Sequence, residues 1–176
     1  MSERNTTPAE AQKASVLLRA VEALVRLGGV LATLMILAIF GLVCVAVANR
    51  YILGAPIQWS DELIGYVLVA TVMLGAAEAL RRDNHIAIDL LSSKLGGRGQ
   101  LLLGGIGNLA VFILAAIIGW SAWESILFAR AFGSYSVGYI EIETWIPQVP
   151  LVFGAILLGL AAIARTWRLL IGSKAQ

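Results

Sequence analysis

The chain has 176 residues, of which 59% are hydrophobic and 14% are charged, and its net charge is +2 at pH 7. Its mean hydropathy of +0.85 excludes a water-soluble domain of this size, which could not cover so much apolar surface. The length fits a single domain over residues 1–176 and leaves no room for a large soluble catalytic module beside a membrane domain.

Long apolar runs follow a polar N-terminal segment, residues 1–15, which we expect to be disordered. The runs predict four transmembrane helices, at about 27–48, 63–80, 100–123 and 145–164. Each run has about 18–24 residues, enough to cross a hydrocarbon core of ~30 Å at 1.5 Å per residue. Helices are favoured because the backbone must satisfy its own hydrogen bonds in lipid. The sequence therefore predicts an all-α integral membrane protein.

The distribution of basic residues predicts the topology. Eleven of the 13 Lys and Arg residues fall in three clusters that the apolar runs separate, within 4–26, 81–98 and 165–174. Because basic loops stay on the cytoplasmic side, we expect both termini and the loop after the second helix to face the cytoplasm. That face carries about +5 and suits anionic lipid headgroups, whereas the outer face carries about −3. The outer acids either receive a partner or are simply solvated.

The loop between the second and third helices predicts a short interfacial amphipathic helix at residues 84–95, lying along the cytoplasmic surface. Asp89, Ser92 and Ser93 occupy one arc, and apolar residues fill the opposite arc. Alternation of Ile and Leu also fits a strand, but a lone strand would leave its backbone unpaired at the membrane. His85 and Asp89 are i,i+4 neighbours that can pair locally, which is a simpler role for His85 than metal binding.

Few residues are suited to catalysis or to metal or cofactor binding. The single Cys44 cannot form an internal disulfide, and the single His85 lies outside the predicted spans, which makes the chain a poor haem carrier. Glu78 lies near the end of the second span, where Arg81 and Arg82 follow at i+3 and i+4 and can pair with it. No phosphate-binding glycine loop is present. We therefore predict no catalytic residue, metal ligand, cofactor or nucleic-acid partner.

Small residues predict where the spans pack closely. They cluster in the second, third and fourth spans, at 75–77, 104–107 and 154–159. Some of these clusters form contacts within the chain and others can face a second subunit, and the sequence does not divide them. Four of the five Trp residues fall near the predicted outer interface, as in an ordinary aromatic belt.

More specific motifs occur between residues 40 and 160. Asn49-Arg50-Tyr51 ends the first span, and Trp59-Ser60-Asp61-Glu62-Leu63 opens the second. Gly75-Ala76 lies late in the second span, the run from Arg82 through His85 to Asp89 follows it, and Trp145, Pro147, Pro150 and Gly154 open the fourth. In this order and spacing the motifs resemble the DctQ family, the small permease subunit of tripartite ATP-independent periplasmic (TRAP) transporters. The middle of the second span lacks a Trp that is often found in the family.

The resemblance implies a multi-pass subunit of the bacterial inner membrane that is not an enzyme. It implies a large TRAP permease subunit as partner, holding the substrate and sodium sites, and a periplasmic solute-binding protein that delivers an organic acid. The small subunit would be a fixed scaffold for this sodium-coupled uptake, surrounded by membrane lipids. Partner-interface or structural roles are then expected for nine residues: Arg50, Tyr51, Trp59, Asp61, Glu62, His85, Asp89, Trp145 and Pro150.

Two of these expectations concern the outer side in particular. Arg50 either pairs with Asp61 or Glu62, which are the nearest acids in sequence, or extends towards lipid phosphates. Trp59 and Glu62 are expected to contribute to the surface that partner subunits contact.

Two other classes of function stay open. A membrane anchor for a redox enzyme would need an axial ligand such as His within the spans, and an absorption spectrum of the purified protein would reveal haem. A self-sufficient dimeric exporter would need a buried acid within the bilayer, and transport by this chain alone in vesicles would reveal it.

Overall fold

The computed structural model describes residues 8–82 and 97–172. Over these ranges the chain forms four long α-helices, α1 (Pro8–Ile52), α2 (Ser60–Arg81), α3 (Gly97–Phe132) and α4 (Val149–Gly172). A 3-10 turn, Ile146–Gln148, leads into α4. Each of these helices contains an apolar stretch long enough to cross a membrane, and the described residues contain no β-strand. The prediction of an all-α protein with four long apolar helices is confirmed. The predicted helix at 84–95, with His85 and Asp89, lies outside the described residues.

Two helices are longer than the sequence predicts. α1 begins at Pro8, within the segment expected to be disordered. α3 continues to Phe132, past the predicted end at 123, because its charged residues Glu124 and Arg130 are exposed and do not interrupt the backbone. The helix ends at Phe132, and the next residue, Gly133, adopts the left-handed conformation with φ of 59°. The N–H of Ser134 donates to the carbonyl of Ala129 at 3.0 Å. This is the usual glycine-terminated helix end.

The connection between α3 and α4, residues 133–145, folds back on itself. Tyr135 and Glu143 form an isolated antiparallel bridge. The N–H of Ser136 donates to the carbonyl of Ile142 at 2.8 Å, and the N–H of Thr144 donates to the carbonyl of Ser134 at 3.0 Å. These bonds give the loop a hairpin-like shape. The loop lies at the end of the protein where α1 and α3 end and α2 and α4 begin, which we call the Trp145 end; the opposite end is the Arg81 end.

The helices pack in the order α1, α2, α4, α3. α1 packs along α2, α2 packs along α4, and α4 packs along α3, while α1 makes only a smaller contact with α4. No extensive contact between α1 and α3 closes this arrangement among the described residues. The result is an open row of helices and not a closed four-helix bundle. The inner pair is the better covered, because 39% of the most apolar stretch of α2 and of α4 is buried, against 6% for α1 and 17% for α3.

Small residues form the contacts along the row. Ala115 and Ala155 belong to the α3–α4 contact, where a Cβ added to Gly119 would lie 3.4 Å from that of Ala155. A Cβ added to Gly154 of α4 would lie 2.5 Å from the Cβ of Met73 in α2. Close backbone approach of this kind replaces the hydrophobic driving force that is missing in lipid. The buried core that results is rich in alanine: Val25, Ala32, Leu74, Ala77, Leu80, Ala115, Leu157, Leu158, Ala161 and Ala162.

Candidate functional site

Glu62 is the most highly connected side chain at the Trp145 end. It lies in the first turn of α2, and its carboxylate accepts hydrogen bonds from the Tyr66 hydroxyl at 2.7 Å and from the backbone N–H of Ile140 at 3.0 Å. The Ser136 hydroxyl donates to the same carboxylate, and Gly138 lies directly against it. Tyr66 and Ser136 are also within hydrogen-bond distance of each other, at 2.9 Å. Glu62 therefore anchors the 133–145 loop to α2.

The neighbouring motif residues have a different environment. Tyr51 is 80% exposed and Trp59 is 45% exposed, and Arg50 and Asp61 are exposed too. Among the residues that the structure describes, Arg50 has no carboxylate within ion-pair distance, so the expected pair with Asp61 or Glu62 is not formed. For Glu62 the physical reason is that the Tyr66 hydroxyl of α2 and hydroxyl and backbone N–H donors of the 133–145 loop already bind its carboxylate. Asp61 is exposed, where an ion pair contributes little.

Trp145 and Pro150 lie at the start of α4. Trp145 donates its indole N–H to the carboxylate of Glu143, and the guanidinium of Arg130 lies 4.7 Å from the centroid of the Trp145 ring, a cation–π contact. Pro150 is the second residue of α4, where a missing N–H costs no intrahelical hydrogen bond. A small cleft of about 100 Å³ opens here, lined by Ala129, Arg130, Gly133, Ser134, Glu143 and Trp145.

A charged cluster occupies the Arg81 end. Glu78 is only 8% exposed, and it accepts two hydrogen bonds from Arg81, both at 2.7 Å, and one from Arg82 at 2.6 Å. The pairing predicted from the i+3 and i+4 spacing is confirmed. Close by in the row, Glu22 of α1 and Arg168 of α4 form an ion pair that sequence spacing could not indicate.

Glycine makes room for the buried carboxylate of Glu78. A Cβ added to Gly29 of α1 would lie 2.6 Å from the Cγ of Glu78 and 2.9 Å from its Cβ. The absent side chain at Gly29 therefore allows α1 to pack over Glu78. Within residues 8–82 and 97–172, no three His, Cys, Asp or Glu side chains lie close enough together to hold a metal ion. The acids with defined partners, Glu22, Glu62, Glu78 and Glu143, all bind groups of this same chain.

Large apolar side chains cover the outward surfaces of α1 and α3. Phe40 is 66% exposed and Ile117 is 61% exposed, and neither helix has a neighbour on that side among the described residues. Gly41 and Gly105 lie on these open surfaces, since a Cβ added to either would meet nothing within 4 Å. The arrangement offers apolar packing surface to lipid or to another protein, and its described polar groups are used mainly to hold the helices and one loop together.

Residues 39–172 match the family model described as the DctQ component of tripartite ATP-independent periplasmic transporters. Over 87 residues the chain is 31% identical to the sialic acid TRAP transporter permease protein SiaT of Haemophilus influenzae (strain 86-028NP), a match that covers 49% of this chain and 14% of that protein. Over 71 residues it is 30% identical to the sialic acid TRAP transporter small permease protein SiaQ of Vibrio cholerae serotype O1, which covers 40% of each. The chain thus matches less than half the length of either relative.

Proposed function

This chain belongs to the DctQ family of TRAP transporter components, and from that premise we propose that it is the small membrane subunit that supports a large permease subunit during uptake of an organic acid. The family makes it a transport component and not an enzyme. On this proposal it is a multi-pass protein of the bacterial inner membrane with both termini in the cytoplasm, as the basic clusters favour. A periplasmic solute-binding protein would deliver the substrate, and a sodium gradient would drive its entry.

The observation that carries the supporting role is the uncovered apolar surface of the open row. Only 6% of the most apolar stretch of α1 and 17% of that of α3 are buried within the chain. A protein whose helices have this much free packing surface can form a broad contact with a second set of helices in the membrane. Sialic acid is one candidate substrate class, because both relatives are named for it.

The exporter alternative is weakened by the environment of Glu78. An acid that binds a transported ion within the bilayer has to be free to exchange partners. Glu78 is instead held by three hydrogen bonds from Arg81 and Arg82, which are in the same turn of helix and cannot diffuse away. This supports a structural role for the acid.

The test is reconstitution in proteoliposomes. The chain together with a large TRAP permease subunit and a binding protein should take up labelled sialic acid under an inward sodium gradient, and each component alone should not. Uptake by this chain alone would overturn the proposal, as would full uptake by the large subunit without it.

Two glycines allow the contacting surface to be mapped. Gly41→Leu and Gly105→Leu add a side chain to the open surface of α1 and of α3, respectively, where the chain's own helices leave space. We expect at least one of them to reduce co-purification of the large subunit. If both variants co-purify like the unaltered chain, the large subunit does not pack on these surfaces.

A further inference from the structure

Arg130 and Trp145 lie on either side of the junction between two apolar spans. The third span ends at Phe132, two residues after Arg130, and the fourth begins at Ile146, one residue after Trp145. A cationic and an aromatic side chain at these positions are at the depth where lipid headgroups meet the hydrocarbon core. From the span ends, the cleft between them therefore lies at the membrane surface, next to lipid headgroups.

The cleft is lined by one cation, Arg130, and one anion, Glu143, that form no ion pair with each other. Arg130 lies over the face of Trp145, and among the described residues no carboxylate is within ion-pair distance of it. Glu143 lines the same cleft, and the indole N–H of Trp145 holds its carboxylate in place. Ser134, whose side chain carries a hydroxyl donor, lines the same cleft. The two charged side chains therefore line one cleft and contact the same indole ring without forming an ion pair with each other.

We propose that this cleft binds the headgroup of a zwitterionic phospholipid that carries a phosphate and a primary ammonium. Arg130 and the Ser134 hydroxyl would donate to the phosphate oxygens, and Glu143 would accept from the ammonium. Arg suits this role because its planar guanidinium donates two parallel hydrogen bonds to phosphate while it stacks on an aromatic ring. An anionic lipid would satisfy only Arg130 and would bring its negative charge near Glu143.

The surface of α3 on the membrane side of the cleft is apolar and can contact a lipid acyl chain. Trp123 and Leu127 precede Arg130 by seven and three residues, so the three share one stripe of α3. Their side chains are 53% and 52% exposed, respectively. This apolar track leads from the headgroup site into the membrane, and it distinguishes a whole lipid from a free phosphate ester, which would use only the cleft.

The test is lipid retention by the purified full-length chain, measured by native mass spectrometry with phosphatidylethanolamine, phosphatidylcholine and phosphatidylglycerol. The unaltered chain should retain phosphatidylethanolamine most tightly. Arg130→Gln should weaken the retention of phosphatidylethanolamine and phosphatidylglycerol by about tenfold, since both present a phosphate. Glu143→Gln should weaken only phosphatidylethanolamine, and its amide oxygen can still accept from Trp145, so the wall keeps its shape.

Matched controls are available on the same side of the protein. Arg50→Gln and Glu141→Gln remove an exposed cation and an exposed anion outside the cleft and should leave the preference for phosphatidylethanolamine over phosphatidylglycerol unchanged. Equal loss in Arg50→Gln and Arg130→Gln would overturn the proposal, because it would mean unspecific attraction. Equal retention of phosphatidylethanolamine and phosphatidylglycerol by the unaltered chain would overturn it too. If soluble glycerophosphoethanolamine displaces the lipid at equal concentration, the ligand is a free headgroup and the lipid assignment is wrong.

Discussion

The carboxylate of Glu62 accepts a hydrogen bond at 3.0 Å from the backbone N–H of Ile140, a residue 78 positions further along the chain. Together with the bonds from Ser136 and Tyr66, this contact fixes the 133–145 loop on the first turn of α2. The residue that the sequence suggested as a partner contact is thus used within the chain. Its exposed neighbours Trp59 and Asp61 are left to face outward.

Loss of the Glu62 carboxylate should release the loop. We expect Glu62→Ala to lower the free energy of unfolding, because it removes hydrogen bonds to a charged acceptor. Cleavage by an added protease should then concentrate within 133–145. Asp61→Ala, at the adjacent exposed position, should leave both properties near those of the unaltered chain. Equal protease resistance of the loop in the two variants would show that Glu62 does not hold it.

A side chain at Gly29 should disturb the α1–α2 contact. The added Cβ of Gly29→Ala would lie 2.6 Å from the Cγ of Glu78. We therefore expect the free energy of unfolding in detergent to fall by about 1–3 kcal/mol. Gly41→Ala is the matched control in the same helix, since its Cβ meets nothing within 4 Å and alanine favours helix. A Gly29→Ala variant as stable as Gly41→Ala would contradict this packing.

The corresponding change at the α2–α4 contact should be more damaging. In Gly154→Ala the new Cβ would lie 2.9 Å from the carbonyl carbon of Met73 as well as 2.5 Å from its Cβ. Backbone atoms cannot rotate away, so the two helices have to separate, and we expect a larger loss of stability than for Gly29→Ala. Gly65→Ala, which points into open space in α2, is the control. Thermal unfolding of the three variants in one detergent gives the order.

Arg50 and Asp61 should contribute to stability independently. Both are exposed and form no ion pair with each other. We therefore expect the effects of Arg50→Ala and Asp61→Asn on the free energy of unfolding to add to within about 0.5 kcal/mol in the double variant. A coupling clearly above that value would restore the ion pair that the sequence suggested.

Trp59 should matter for assembly and not for the fold of the chain. Its ring is 45% exposed at the start of α2. If partner subunits contact this surface, Trp59→Ala should reduce co-purification of the large subunit. The melting temperature of the purified variant should stay close to that of the unaltered chain. Trp167→Ala, which replaces a 49% exposed Trp near the other end of the protein, is the control. Unchanged assembly in Trp59→Ala would mean that this ring serves only the aromatic belt.

Features that depend on near neighbours in sequence could be predicted. The pairing of Glu78 with Arg81 and Arg82 follows from a spacing of three and four residues in a helix, and the four spans follow from apolar run length. The end of α3 could not be placed, because exposed Glu124 and Arg130 resemble loop residues although helix tolerates them. Gly133 after Phe132 is the signal that marks the true end.

Features that depend on contacts between residues far apart in the chain could not be predicted from the sequence. Glu62 and Arg50 lie close in the chain and have opposite charges, which suggests a pair, but the donors that Glu62 binds belong largely to the 133–145 loop. Gly154 could be identified as a close-packing residue, but its partner Met73 could not. The sequence alone does not indicate which of two neighbouring spans a small residue will face.

The open row has a consequence for how the subunit is made. Its order joins two helical hairpins, α1–α2 and α3–α4, along the seam between α2 and α4. Met73 of α2 contacts Gly154 of α4 across that seam. Beside the seam, Glu62 of α2 binds Ile140 in the loop that precedes α4. When α2 leaves the ribosome, the residues of α4 that cover its other side have not yet been synthesised. The first hairpin therefore has to wait in the membrane with its inner face uncovered until the second hairpin is inserted beside it.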